Sequence, residues 1–148
     1  MGLLEDGYRA FGAIEGGTND GSQSCEAVLQ VTPVQGGALQ TFMGSTSAQN
    51  GHAEIHALYQ FLKTINYDVT SFRAHQLTIE CLAKACCRHC AAILGLLRAA
   101  PTVRTFKEPR NRGVSYSVPP DVRGFLAKFL GTTTQKIIEE LEGSGPKW

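Results

Sequence analysis

Two short stretches carry side chains whose types and spacing can do chemistry: His52-Ala53-Glu54 and Cys87-Arg88-His89-Cys90. Cys87 and Cys90 are three residues apart, so in the first turn of a helix both thiolates lie on one side and can grip one ion. A helix N-terminus also favours the thiolate form there. His52 supplies a third ligand if it starts a second helix and the two helix starts meet. One His and two Cys is the protein-ligand count of a catalytic zinc site, which keeps a fourth position for water. Glu54, two residues from His52, need not be a ligand. Its carboxylate can instead take a proton from that water and pass it to a leaving nitrogen. Taken singly, each piece also has a plainer reading: a histidine following Gly51, an acid placed by the helix dipole, a Cys pair of structural or redox use. Two alternatives stay open on the residues alone. Cys86-x-x-His89 is another potential ligand pair. His56, one turn beyond His52, is either a fourth ligand of a closed structural site, a pocket residue or a partly exposed helix residue.

The elements that must position these groups follow from apolar periodicity. Residues 52–66 read as a helix, with Ile55, Leu58, Leu62 and Ile65 at spacings of three and four. A second helix runs from Cys86 or Cys87 to about Ala100, stopped by Pro101. Between them, 67–74 is a connection, and 75–83 is a buried strand with Leu77, Ile79 and Cys81 in alternation. Upstream, 25–46 is an antiparallel hairpin turning at Gln35-Gly36-Gly37. It is preceded by a weak strand over 8–15 and a loop over 16–24. Downstream, 101–109 reads as a strand and 111–119 as turns with an edge strand. A helix from Pro119-Pro120-Asp121 to Leu130 closes at Gly131, and a last helix, capped by Thr133 or Thr134, ends at Gly143. This order predicts an α/β domain with helices covering a mixed sheet. Two helices flanking the 75–83 strand on the same face bring His52 to Cys87 and Cys90.

Composition narrows the field. The 148 residues fit a single domain over 1–148, and 43% hydrophobic against 18% charged residues supports a real core. No run of 18 apolar residues predicts a membrane span, and the acidic N-terminus lacks the basic start of a signal peptide. Lys+Arg 14 against Asp+Glu 13 excludes a strongly basic histone-like protein. The charge is uneven, however: one base against five acids in residues 1–50, thirteen against eight in residues 51–148. Four of the five cysteines crowd into residues 81–90, a distribution that suits metal ligation in a reducing compartment better than a disulfide framework. Cys25 and Cys81, in apolar strand-like stretches, read as inert core residues.

The strings Gly51-His52-Ala53-Glu54-Ile55-His56-Ala57-Leu58 and Ala85-Cys86-Cys87-Arg88-His89-Cys90-Ala91-Ala92-Ile93-Leu94 resemble the paired motifs of the cytidine deaminase-like superfamily of zinc nucleobase deaminases. The hairpin–helix–strand–helix–strand order over 25–108 matches that family too. The resemblance implies a three-layer α/β/α fold, a Zn2+ ion on His52, Cys87 and Cys90, and Glu54 as the catalytic proton shuttle. Within the superfamily, the His-Ala-Glu-Ile string is most similar to tRNA adenosine deaminases and the Cys-Cys-x-x-Cys string to bacterial toxin deaminases. Most members carry Pro where Cys86 stands; Pro there sets φ and caps the helix, so Cys is chemically tolerable.

The implied reaction is hydrolytic loss of ammonia from C4 of cytosine or C6 of adenine, and the expectation here is cytosine in single-stranded nucleic acid, DNA foremost. Arg98, Arg104, Lys107, Arg110 and Arg112 crowd into fifteen residues with one acid, Glu108, and Phe106 and Tyr116 interleave. Stacking of a base on an aromatic with phosphates on nearby arginines is how single strands are held; Arg104, Phe106, Arg110 and Arg112 are the candidate contacts. Phe106 as a core strand residue, with the arginines simply facing water, is the competing reading. The toxin resemblance further implies a domain delivered by a secreted protein, acting in a target cell's cytoplasm and met by an immunity protein. Two rival functions remain: a salvage deaminase of free nucleosides or nucleotides, or of the tRNA adenosine type, and a non-enzymatic structural zinc module. Glu54 speaks against the last, because a structural site has no use for a placed acid.

Overall fold

The computed structural model describes residues 2–16, 26–46, 52–82, 84–109 and 118–141. In chain order the elements are α1 (Leu3–Phe11), β1 (Ile14–Glu15), β2 (Glu26–Pro33), β3 (Gln40–Ser45), α2 (Ala53–Thr64), α3 (Val69–Arg73), β4 (His75–Leu82), α4 (Arg88–Leu96), β5 (Ala100–Pro101), β6 (Phe106–Lys107), α5 (Pro120–Leu130) and α6 (Thr134–Leu141). The class is α/β: among the described residues a mixed four-stranded sheet is accompanied by six helices, an arrangement compatible with the expected three-layer α/β/α fold.

The sheet runs β3-β2-β4-β5. β2 is antiparallel to β3 and to β4, with Leu29 opposite Phe42 on one side and Ile79 on the other. β4 and β5 are parallel and are joined through α4, the crossover unit that parallel neighbours require. Alternation along the central strands puts Ala27, Leu29, Val31, Leu77, Ile79 and Cys81 into the core and leaves Glu26, Gln30 and Gln76 exposed. α2 lies against β2 and β3. Gly44 permits that approach, since a Cβ there would run into the backbone of Ala53 and Ala57. The core continues through Phe61, Phe72, Phe125 and Phe129, with Phe72 5.1 Å from Phe125 and 5.3 Å from Phe129 between ring centroids.

Four local expectations are corrected. The weak strand over 8–15 is helix through Phe11 and strand only at Ile14–Glu15: Leu4, Tyr8 and Phe11 recur at spacings of four and three and form the buried face that α1 lays on α4. A Cβ on Gly7 or on Gly95 would strike the backbone of the opposite helix, so the two axes come unusually close. The connection over 67–74 contains α3, because the Asp68 carboxylate accepts a hydrogen bond from the Ser71 amide at 2.8 Å and starts a helical turn. α4 stops well before Pro101: Arg98 adopts φ 63°, and its amide and that of Ala99 bond back to Gly95 and Leu94 at 3.1 and 2.9 Å. The strand over 101–109 is interrupted. Thr105 turns inward, its hydroxyl donating to the Ile79 carbonyl at 2.7 Å, so β5 pairs with β4 while β6 pairs in parallel with β1. The edge strand expected within 111–119 and the stop at Gly143 lie outside the described residues, apart from 118–119. Among the described residues no helix is long and apolar enough to cross a membrane.

Candidate metal centre

Each candidate ligand sits at the N-cap or in the first turn of a helix. His52 is the N-cap residue of α2 (φ −72°, ψ 160°) and Cys87 the N-cap residue of α4 (φ −68°, ψ 163°). Cys87 caps with its sulfur, which accepts from the Cys90 amide at 3.4 Å. This turn carries Cys90 onto the same side, and the two helix starts converge. His52 Nδ1 lies 3.4 Å from the Cys87 Sγ and 3.4 Å from the Cys90 Sγ. Cys87 and Cys90 are buried free cysteines, and the three donor atoms lie within 4.8 Å of one another, close enough to hold a metal ion.

The electrostatics favour a cation between them. The hydrogen bond with Cys90 holds the Cys87 thiol well below its ordinary pKa; His52 and the Cys90 amide act in the same direction, against the effect of burial. Glu54 follows His52 in the first turn of α2 and is only 2% exposed. Burial, reinforced by the charge of Cys87, raises its proton affinity above that of an ordinary glutamate, while His52 pulls the other way. A carboxyl group of raised proton affinity therefore stands beside a thiol of lowered proton affinity.

Of the two ligand pairs that the sequence left open, Cys87 and Cys90 stand together with His52. Cys86 is bonded to Cys81 in a disulfide, and the groups that could hold a metal among the described residues do not include His89. His56 turns to the sheet, where its Nδ1 accepts from the Ser45 amide at 3.2 Å. Cys81 is accordingly no inert core residue, and the crowded cysteines are not all free thiols. With Glu54, Cys81 and Cys86 make a second buried group whose donor atoms lie within 4.8 Å of one another. The crowding of four cysteines into ten positions is the sequence signal for this second group.

The basic stretch comes together only in part. Arg98 and Arg104 are exposed, and Phe106 is half-buried in β6. Lys107 does not join them at the surface. It is 7% exposed, its Nζ 4.3 Å from the Tyr8 ring centroid and donating to the Tyr8 carbonyl at 3.4 Å. Arg88 lies on the same ring at 4.8 Å and donates to the Pro109 carbonyl. Burial drives the Lys107 pKa down, Arg88 adds to that effect, and Glu15 opposes it. Arg110, Arg112 and Tyr116 lie outside the described residues. Comparison of the chain with protein-family models, with curated proteins and with solved structures returns no match.

Proposed function

We propose that this chain is a zinc-dependent hydrolytic deaminase that converts cytosine to uracil in single-stranded nucleic acid, DNA in particular. The observation that carries the reading is the convergence of His52 Nδ1 on Cys87 and Cys90 at 3.4 Å each, with Glu54 buried two residues from His52. The donor set suits zinc: bonds of about 2.3 Å to sulfur and 2.0 Å to nitrogen at a tetrahedral angle separate S from N by about 3.5 Å. The paired motifs and their resemblance to nucleobase deaminases supply the reaction class.

Zinc, when bound, supplies Lewis acidity that makes water a nucleophile near neutral pH. The chain's own groups do the rest. His52, Cys87 and Cys90 fix that acidity at the mouth of two helix N-termini. A Glu54 carboxylate oxygen takes a proton from the attacking water and returns it to the exocyclic nitrogen of the base, which leaves as ammonia. Water supplies the oxygen that C4 of cytosine gains, so cytosine and water give uracil and ammonia. The exposed Arg104 and the half-buried Phe106, with Arg110 and Arg112, are the groups assigned to the strand's phosphates and a stacked base.

The test is to incubate zinc-loaded protein with single-stranded DNA, duplex DNA, RNA and free cytidine, and to quantify uracil by sequencing and chromatography. Uracil in single strands with free cytidine untouched is the expected result. Turnover of free cytidine alone moves the assignment to salvage metabolism, and no product from any substrate by a zinc-loaded protein overturns it.

A further inference from the structure

Glu54 stands beside His52 and Cys87 without being one of the three ligands, and it belongs to a second donor group with Cys81 and Cys86. On its other side are Cys81, at the end of β4, and Cys86, just before the N-cap of α4, 5% and 0% exposed and joined to each other. Their Cα atoms are 6.4 Å apart. That is toward the wide end of what a disulfide spans, about 4.4–6.8 Å, and it also suits two thiolates about 3.8 Å apart on one tetrahedral ion. Cys86 cannot drift far once released. Its amide donates to the Phe106 carbonyl at 2.8 Å, and its own carbonyl accepts from the Glu108 amide at 2.7 Å. Cys81 is held in register opposite Ala27. The intervening Leu82, Lys84 and Ala85 are half-buried.

We propose that Cys81, Cys86 and Glu54 form a second metal site that exists only in the reduced protein and takes a thiophilic divalent ion such as zinc or cadmium. A dithiol reductant gives two electrons and two protons to the Cys81–Cys86 bond and becomes a disulfide itself. The ion then displaces the two thiol protons, forming two metal–sulfur bonds, and a Glu54 oxygen is the third donor. Softness of the sulfur pair selects zinc or cadmium over magnesium or calcium. The site does not depend on the proposed deamination, but its consequence does: a Glu54 oxygen committed to this ion is withdrawn from proton transfer. Reduction in the presence of surplus zinc then switches turnover off, while oxidation frees Glu54.

The experiment is metal stoichiometry in the two redox states. Metal-free protein, either oxidised or reduced with a phosphine and desalted anaerobically, is titrated with Co2+, with the sulfur-to-metal absorption as readout. One ion per chain is expected when oxidised and two when reduced, with sulfur-to-metal absorption roughly doubled. Cys81→Ser/Cys86→Ser should bind one ion in either state. His52→Ala should bind none when oxidised and one when reduced, so failure of the first centre and failure of this site read differently. As a check that needs no folded variant, cadmium should slow N-ethylmaleimide labelling of Cys81 and Cys86 in the reduced wild-type chain at least tenfold, as mass spectrometry of the peptides reports. Equal stoichiometry in the two states, or labelling of Cys81 and Cys86 that cadmium leaves unchanged, overturns the proposal.

Discussion

Replacing Glu54 with Gln isolates the proton-transfer role from every other contribution of the site. Gln has nearly the same volume, so the 2%-exposed position keeps its packing and no cavity opens. The change removes a charge that the neighbouring Cys87 already disfavours, so neither fold nor metal binding at His52, Cys87 and Cys90 should suffer. What is lost is a positioned acid–base group, worth about 10²–10⁴ in rate, or about 2.7–5.4 kcal/mol at 1.36 kcal/mol per decade. We expect turnover of a cytosine-containing single strand to fall at least a hundredfold, with one zinc per chain by elemental analysis and a melting temperature at or above that of the parent. A fully metallated, folded Glu54→Gln protein that keeps more than about a tenth of parental turnover would refute the assignment.

Cys87→Ala and Cys90→Ala should each lose the zinc under dialysis, whereas oxidised-state retention by Cys86→Ala is expected; the reverse pattern would return the ligand register to Cys86 and His89. Gly95→Ala drives a methyl into the backbone of α1 and should cost about 1–3 kcal/mol, as overpacking does; an unchanged melting temperature would mean that α1 is not clamped to α4. Asp68 is held below its ordinary pKa by the Ser71 amide and hydroxyl. Its stabilisation is therefore present above the unfolded-state value and lost as pH falls through the folded one, so Asp68→Ala should lower the melting temperature at neutral pH and match the parent in acid. Replacing Arg104, Arg110 and Arg112 together should weaken oligonucleotide binding and reduce the salt slope by about 0.7 per lost contact, measured by fluorescence anisotropy across ionic strengths; an unaltered slope would put the strand elsewhere.

What the sequence disclosed and what it hid divide along physical lines. The hairpin, α2, β4 and α5 were legible because each carries a long periodic apolar pattern or a capping residue in the expected place. So was the proximity of His52, Cys87 and Cys90, because two local motifs with a crossover between them leave few arrangements. α1 was not legible because Phe11 and Ala13 fit a short alternation, and only the partner α4 makes Leu4, Gly7 and Tyr8 the relevant set. The disulfide could not be read from spacing: Cys81 ends a strand and Cys86 follows a turn, and their meeting depends on how β6 holds Cys86. Lys107 looked like a member of a basic track, but the strand pairing of β6 with β1 turns it under Tyr8.

That short β1–β6 pairing also sets a timetable. Ile14 and Glu15 meet Phe106 and Lys107, and the same strand fixes Cys86 by two backbone hydrogen bonds. The ligand loop is thus braced by segments from near the start of the chain and from 20 residues beyond Cys87. During synthesis, at about 5–20 residues per second, His52, Cys87 and Cys90 all exist on the nascent chain for about one to three seconds before Lys107 is even made. A ribosome-bound chain arrested before β6 has its three ligands but not the brace that aligns them. Loading of the centre is therefore a late event, gated by the closing of one of the most sequence-distant contacts in the fold, and truncation of residues 2–16 should impair it although none of them is a ligand.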